Sequence, residues 1–339
     1  MHIAFFVPGI HDRPTGGNVY NRRVAAALPD HASVEMIPWP SEAPCPSRPF
    51  PNGTVVVVDS LLADRLDVLR AAHPTAVFVL LAHYLHCIDP TAHDTTAAAT
   101  ERAVLPHIDG IVTTSAFAKQ ALGDTGVPPD RIGVAPPGLD ATYRAPRADR
   151  ASDGPPRLLT VASLLPGKGL SRLLDVLGRL TDRAWTWTLV GDDTLDPDFA
   201  ATLRQQLQSC SFSDRVTVTG AVPPATLQAR YDRADVFVLP SRFETCSMAT
   251  REAMARGCPV VAFDVGGLSE NLGDAPAGRL VRPDDTGAFA AALRALLDTP
   301  DTRRRMGLAA RKRSESFPSW PATAARFHDV LRRLSRTSR

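Results

Sequence analysis

Short apolar runs rich in Val, Ile and Leu alternate along the chain with longer segments whose apolar positions recur at helical spacing. The runs Ile3–Val7, Val34–Ile37, Thr54–Val58, Val77–Leu81, Gly110–Thr113 and Gly133–Ala135 predict a first series of strands. Helical patterns over Tyr20–Leu28 and Ser115–Leu122 fall between them. A second series comprises Leu158–Val161, Thr186–Val190, Val216–Thr219, Val236–Leu239, Val260–Phe263 and Arg279–Val281. It is spaced by helical patterns over Leu170–Leu180, Pro197–Gln208, Pro224–Arg230, Met248–Arg256 and Thr286–Leu297. Most runs are apolar at every position rather than alternate ones, the mark of strands buried on both faces. Strands spaced by helices form βαβ units, so the fold class is α/β with parallel sheets. Two series in tandem predict two doubly wound, Rossmann-like domains. The stretch from Tyr143 to Pro156 is polar and rich in breakers, as a linker should be. The domains therefore run over 1–145 and 156–318, with an amphipathic helix within 319–337.

The bulk properties narrow the classes of function. Apolar residues make up 44% and charged residues 22% of 339, a soluble globular profile long enough for two domains. The formal net charge of +2 supplies no field that argues for a nucleic-acid partner. Only three lysines (Lys119, Lys168, Lys312) stand among 38 basic residues, and Ala and Pro are abundant. That bias looks like a GC-rich coding sequence, so arginine abundance carries no functional weight. Met1–Gly9 has no basic n-region and reads as a first strand, not a signal peptide. The longest apolar runs fall short of the roughly 20 residues a membrane span needs. Five cysteines (45, 87, 210, 246, 258) form no Cys-x-x-Cys pair and read as reduced thiols of a cytoplasmic protein. The basic tail from Arg332 reads as a solvated end, with weak peripheral membrane contact as its alternative.

The candidate chemistry lies at predicted strand ends. Glu244 and Glu252, with seven residues between them, follow the run Val236–Leu239 at a strand-loop-helix junction. Open α/β sheets bind ligands at the carboxyl ends of their strands, and ionised carboxylates accept bonds from sugar and ribose hydroxyls. Two carboxylates can also serve as an acid/base couple of the glycoside-hydrolase kind. Gly16 and Gly17 follow the first strand and open a helix, where glycine admits close backbone approach and free N–H groups attract an anion. A plain turn is the alternative, and the segment is not the Gly-x-Gly-x-x-Gly dinucleotide fingerprint. The stretch Ser163-Leu-Leu-Pro-Gly-Lys-Gly169 lacks the first glycine and the final Ser/Thr of a Walker loop. Lys168 nonetheless stands at a strand's carboxyl end, suited to phosphate. The aspartates of Gly191–Asp198 could hold a hard cation, but Asp-Pro also starts a helix. His83 ends a first-domain strand, where histidines serve structure as often as chemistry. Cys246 has no marked partner and reads as packing.

In their order and spacing these blocks resemble the family-4 glycosyltransferases of GT-B fold, the retaining group that includes glycogen synthases and many mannosyltransferases. Further matching blocks are Asp109–Ser115, Arg131–Asp140, Ala234–Ser241, Gly257–Ala262, Gly266–Glu270, Gly278–Asp285 and Trp320. The resemblance implies two domains facing a cleft, with the C-terminal helix crossing back to the N-terminal, acceptor-binding domain. The C-terminal domain would bind the donor. Glu244 would hold the transferred sugar and Glu252 the ribose. Lys168 would neutralise the diphosphate, assisted by Ser163 and by backbone N–H groups at Gly16, Gly17, Ser247 and Met248. Ala221 and Val222 would touch the base, and His83 the sugar's reactive side. The implied donor is a UDP- or GDP-linked hexose, and the acceptor a small molecule, glycan or lipid-linked hydroxyl. No metal or cofactor is implied. The chain departs from the family pattern at Ser163, usually Arg, at Ser247, usually Gly, and at Thr245, Cys246 and Arg251. Two other readings stand beside this one: a nucleotide-sugar epimerase or hydrolase of the same fold, and a non-catalytic sugar-binding module.

Overall fold

The computed structural model describes residues 1–29, 32–46, 48–145 and 154–337. It opens with β1 (His2–Pro8), α1 (Gly16–Ala27), β2 (Ser33–Trp39), β3 (Val55–Asp59), α2 (Leu66–Ala72) and β4 (Val77–Ala82). Next come α3 (Thr96–Val104), β5 (Gly110–Thr113), α4 (Ala116–Asp124), β6 (Ile132–Val134) and the short α5 (Ala141–Arg144). The second series is β7 (Arg157–Val161), α6 (Leu170–Gly178), β8 (Thr186–Val190), α7 (Pro197–Gln208), β9 (Val216–Val218) and α8 (Pro224–Arg233). It continues with β10 (Val236–Leu239), α9 (Met248–Ala255), β11 (Val260–Phe263), α10 (Leu268–Leu272) and β12 (Gly278–Val281). The chain ends through α11 (Thr286–Asp298), α12 (Pro300–Ser314) and α13 (Trp320–Thr337).

Two parallel six-stranded sheets result, ordered β2-β1-β3-β4-β5-β6 and β12-β11-β10-β7-β8-β9. The uniformly apolar strands are the interior ones: Val55, Val56, Val57 and Val58 of β3 are wholly buried, as are Val236, Phe237 and Val238 of β10. Helices on both faces exclude water from every side chain of such a strand. The edge strands β9 and β12 are half-buried or exposed at most positions, and so is β2. β2 also lies at a sheet edge, where Pro38 has no ladder bond to donate. Five helices, the four-residue α5 among them, carried too weak a pattern to be expected. α2 and α10 are short, α3 is built largely from alanine, and α12 buries only Met306, Gly307, Ala310 and Ser314 beneath a run of arginines.

The chain divides into two compact units, Met1–Gly138 with the stretch from Pro318, and Leu139–Phe317. The boundary expected near residue 145 thus lies inside the second unit. The reason is Arg256, whose Nη1 donates to the carbonyls of Thr142, Tyr143 and Ala145 at 3.0–3.3 Å. Residues 146–153 of the expected linker, and the last two residues of the basic tail, lie outside the described residues.

Helix α13 completes the first unit. Phe327 stacks on Phe5 with ring centroids 6.1 Å apart, Trp320 meets Tyr20 edge-on at 5.8 Å, and Leu331 and Leu334 are wholly buried. Thr323 Oγ1 donates to the Pro136 carbonyl at 2.8 Å. The helix lies so close to β6 that a Cβ on Gly133 would sit 2.1 Å from Val330 Cγ1. Gly133→Ala is therefore expected to destabilise the protein by about 1–3 kcal/mol through overpacking. Adding Val330→Ala should recover part of the loss. Thermal denaturation of the two variants checks this, and an unchanged midpoint for Gly133→Ala would show that the helix is not seated there.

Candidate active site

In the second sheet the strand order runs outward in both directions from the adjacent pair β7 and β10. This is the topological switch point, where loops leaving the carboxyl ends diverge and open a crevice. The two loops that diverge here carry Lys168 and Glu244. They are also stitched together: the Arg242 N–H donates to the Gly167 carbonyl at 2.9 Å. Gly169 has φ +66°, and a Cβ there would lie 2.0 Å from the Pro240 carbonyl oxygen, so the approach requires glycine twice over. Lys168 Nζ consequently reaches Glu244 Oε1 at 2.8 Å, and Ser241 Oγ donates to the same oxygen at 2.7 Å. The side chains of Lys168 and Glu244 are only 30% and 11% exposed, so this is a partly desolvated pair rather than a surface one. Removing either partner would strand the other's charge, which costs more than the pair contributes.

Beyond Glu244 the chain turns sharply into α9. Ser247 has φ +61°, a left-handed backbone in a residue with a side chain, at a cost of about 1–3 kcal/mol. Its hydroxyl caps the helix by accepting from the Thr250 N–H at 3.4 Å. The first N–H groups of a helix have no intrahelical acceptor, so Ser247 and Met248 stand at an anion-attracting terminus. Between them and Glu244, Cys246 is buried and burial pushes its thiol up to about 11, consistent with packing and not with a nucleophile.

Glu252 sits farther along α9 in a different environment. Tyr231 of α8 is fully buried and donates its hydroxyl to Glu252 Oε2 at 2.9 Å. Although part of Glu252 reaches the surface, burial of its carboxyl raises the pKa from 4.5 to about 7, outweighing the opposing bond from Tyr231. Tyr143, edge-on to Tyr231 with centroids 5.7 Å apart, is held protonated by burial and by the Glu252 charge.

Ser163 lies at the end of β7, where a Cβ on Gly191 would collide with the Ala162 carbonyl oxygen at 1.8 Å. The loops after β7 and β8 are therefore in contact, and the Leu164 N–H donates to the Asp192 carbonyl at 2.8 Å. Ala221 is exposed and Val222 half-buried after β9, two strands from the Lys168 loop. The aspartate run is spent on structure. Asp192 Oδ1 accepts from Thr194 N and Oγ1 at 2.8 Å, Asp196 caps α7 through the Phe199 N–H at 3.0 Å, and Asp193 pairs with Arg204.

The first unit gathers its own candidates at its switch point, between β1 and β3. Gly16 and Gly17 open α1, capped by Thr15, whose Oγ1 accepts from the Asn18 N–H at 3.3 Å. Gly17 packs against His83: a Cβ there would lie 3.1 Å from the ring, a tight approach. His83, 13% exposed in its side chain, bonds through Nε2 to Asn21 Oδ1 at 2.7 Å. Asn21 Nδ2 in turn donates to Asp59 Oδ2 at 2.6 Å. That orientation leaves the amide oxygen to His83, so Nε2 carries the proton. Burial lowers the His83 pKa, with Asp59 opposing it less strongly, so the ring is neutral.

The structure thus brings Lys168 together with Glu244, Ser247 and Met248 with the helix bearing Glu252, and Gly17 with His83. The supporting residues Tyr231, Ser241, Asn21 and Asp59 were missed. Asp59, the lone acid ending Val55-Val-Val-Val-Asp59, was the one visible signal.

Two doubly wound parallel sheets, each with polar residues at its switch point, make an α/β protein of the kind that binds ligands at the carboxyl ends of its strands. Residues 144–313, half of the chain, match the family Glycosyl transferases group 1, and the chain belongs to that family. It is 36% identical over 241 residues to D-inositol 3-phosphate glycosyltransferase of Nocardia farcinica, covering 66% of this chain and 52% of that one. It is 34% identical over 218 residues to MMP alpha-(1->4)-mannosyltransferase of Mycolicibacterium hassiacum, covering 63% and 51%. The chain thus spans about half the length of these curated relatives. The structure superposes on sucrose-phosphate synthase from Thermosynechococcus elongatus with a TM-score of 0.82 at 22% identity, covering 99% and 100%. That likeness shows the fold, which is GT-B.

The Glu252 environment has a measurable consequence. Because its pKa is raised on folding, the folded state binds the proton more tightly, and this carboxyl lowers stability as pH rises from about 4.5 to about 7. Below that window it costs nothing; above it the full cost is present. Glu252→Gln is expected to gain on the wild type by on the order of 1 kcal/mol per pH unit across the window. Urea denaturation at several pH values tests this, and parallel stability curves would refute the assignment.

Proposed function

We propose that this chain is a glycosyltransferase that takes a hexose from a UDP- or GDP-linked donor to an acceptor hydroxyl with retention of configuration. The observation that carries the reading is the Lys168–Glu244 pair at the switch point of the donor-type sheet, in a chain of the group 1 family. Lys168 and the N–H groups at Ser247 and Met248 offer positive charge to the departing diphosphate, stabilisation that matters most as charge develops. In this reading no metal is called on for that charge. Glu244 holds hydroxyls of the transferred sugar, Glu252 the ribose, and Ala221 and Val222 border the base. In the first unit, His83 is the candidate that serves the reacting sugar, as a neutral imidazole. Transfer breaks the bond from the anomeric carbon to the diphosphate oxygen and forms one to the acceptor oxygen on the same face. The acceptor's proton passes to the leaving phosphate.

Of the two relatives, one is a glycosyltransferase of D-inositol 3-phosphate and the other an alpha-(1->4)-mannosyltransferase, and the first favours a polar acceptor over a lipid for this chain. Among the described residues no helix is long and apolar enough to cross a membrane.

Three results are expected. UDP or GDP should raise the thermal midpoint progressively with concentration. Glu252→Ala should abolish donor affinity measured by calorimetry, and near-normal binding would sink the ribose role. With donor alone, the wild type should turn over far more slowly than with acceptor. Rapid acceptor-free turnover to an isomer or free sugar would instead establish the epimerase or hydrolase reading.

A further inference from the structure

The strained turn at Ser247 is held by a network that begins inside the protein. Asn271 of α10, wholly buried, donates its Nδ2 to the Cys246 carbonyl and, at 3.3 Å, to the Ser247 carbonyl. Its Oδ1 accepts from Arg251 Nε at 2.8 Å. Arginine is a donor only, so its contact dictates which end of the amide faces it and leaves the NH2 end for the two carbonyls. Arg251 itself is 7% exposed, and its guanidinium lies over the Phe317 ring, 4.9 Å from the centroid. A buried arginine oriented on an aromatic face has little freedom to move. The chain of contacts therefore runs from Phe317 through Arg251 and Asn271 to the backbone on either side of the left-handed residue.

Such a conformation persists only where its surroundings over-determine it. A serine here has no intrinsic preference for positive φ, unlike the glycine that the related pattern places at this position. Arg251 likewise stands beside Glu252 where that pattern has an aliphatic residue. The two departures explain one another: the polar network supplies from the interior what glycine would allow from the backbone.

We propose that Arg251 and Asn271 are positioning residues for the donor diphosphate, locking the Ser247 turn so that the N–H groups entering α9 stay aimed at the leaving group. This rests on the reading of that turn as the diphosphate site. A ligand's ribose and base would meet Glu252, which follows Arg251 in α9 but is held by Tyr231 of α8, and Ala221 and Val222 after β9. The network therefore controls affinity for phosphates separately from affinity for the nucleoside.

Calorimetry with UDP, GDP and ADP, and with uridine, guanosine and adenosine, tests the idea on the full chain. Asn271→Asp keeps an acceptor for Arg251 but turns a carboxylate on the two carbonyls. Arg251→Met keeps an unbranched apolar stem, removes the guanidinium from both Phe317 and Asn271, and frees the amide to flip. Each should weaken the favoured nucleoside diphosphate by tenfold or more while nucleoside affinity stays within about threefold. Ser247→Gly in either background should restore most of the diphosphate affinity, because glycine adopts the turn unaided. A merely structural defect would lower both affinities together and would not respond to Ser247→Gly. Equal losses for nucleoside and diphosphate, or no loss, or no rescue, would overturn the proposal. Should one variant fail to fold, the other and its rescue decide. If the wild type binds no nucleoside diphosphate, the reading of the site falls first and the positioning role with it.

Discussion

The close passage of the chain at Gly169 beneath the Pro240 carbonyl is the constraint on which the donor-type site depends. Strands β7 and β10 are neighbours in the sheet, but the loops that follow them start in different directions. A left-handed glycine and one backbone bond between Arg242 and Gly167 bring those loops back into contact. Only then can a lysine and a glutamate far apart in sequence lie 2.8 Å from each other. Their mutual attraction holds two mobile side chains in one place, in partial shelter from water. A phosphate-bearing ligand would compete with Glu244 for the same ammonium, so the ion pair is also a store of charge that binding can redistribute.

The two glutamates show how environment divides one residue type between tasks. Glu244 faces a cation and a hydroxyl, and both bond to its Oε1. Glu252 faces a buried phenol, and burial of its carboxyl raises its pKa to about 7. An acid/base couple acting across one bond needs its carboxyl groups on either side of that bond. Here one acid is anchored to the loop after β7 and the other to α8, which fits the grip of two parts of one ligand.

Much of this architecture was legible before the coordinates. Interior strands such as Val236–Leu239 and Val260–Phe263 begin and end at the expected residues, because uniform apolarity has one cause in a parallel sheet. The loops bearing Lys168 and Glu244 were found for the same reason: they follow such strands. What stayed hidden was side-chain company. Nothing in the spacing of Tyr231, Ser241 or Asn271 marks them as partners of Glu252, Glu244 and the Ser247 turn, since each contact joins separate elements. The purpose of Gly17 was hidden too. It lies against the His83 ring, which arrives from β4 only once the sheet has formed. The unit boundary was misplaced because a breaker-rich stretch reads as linker even where Arg256 has captured its beginning.

Helix α13 bears on the order in which this molecule is made. The second unit is one uninterrupted stretch, and all of its sheet has been synthesised by Val281. The first unit has its six strands much earlier, yet Phe5 and the hollow above Gly133 wait for Phe327 and Val330. Contacts of such long sequence separation form slowly, and apolar surface left open meanwhile is prone to association. The unit translated first is thus the last to be finished, and it must keep an apolar face out of trouble while an entire second unit folds.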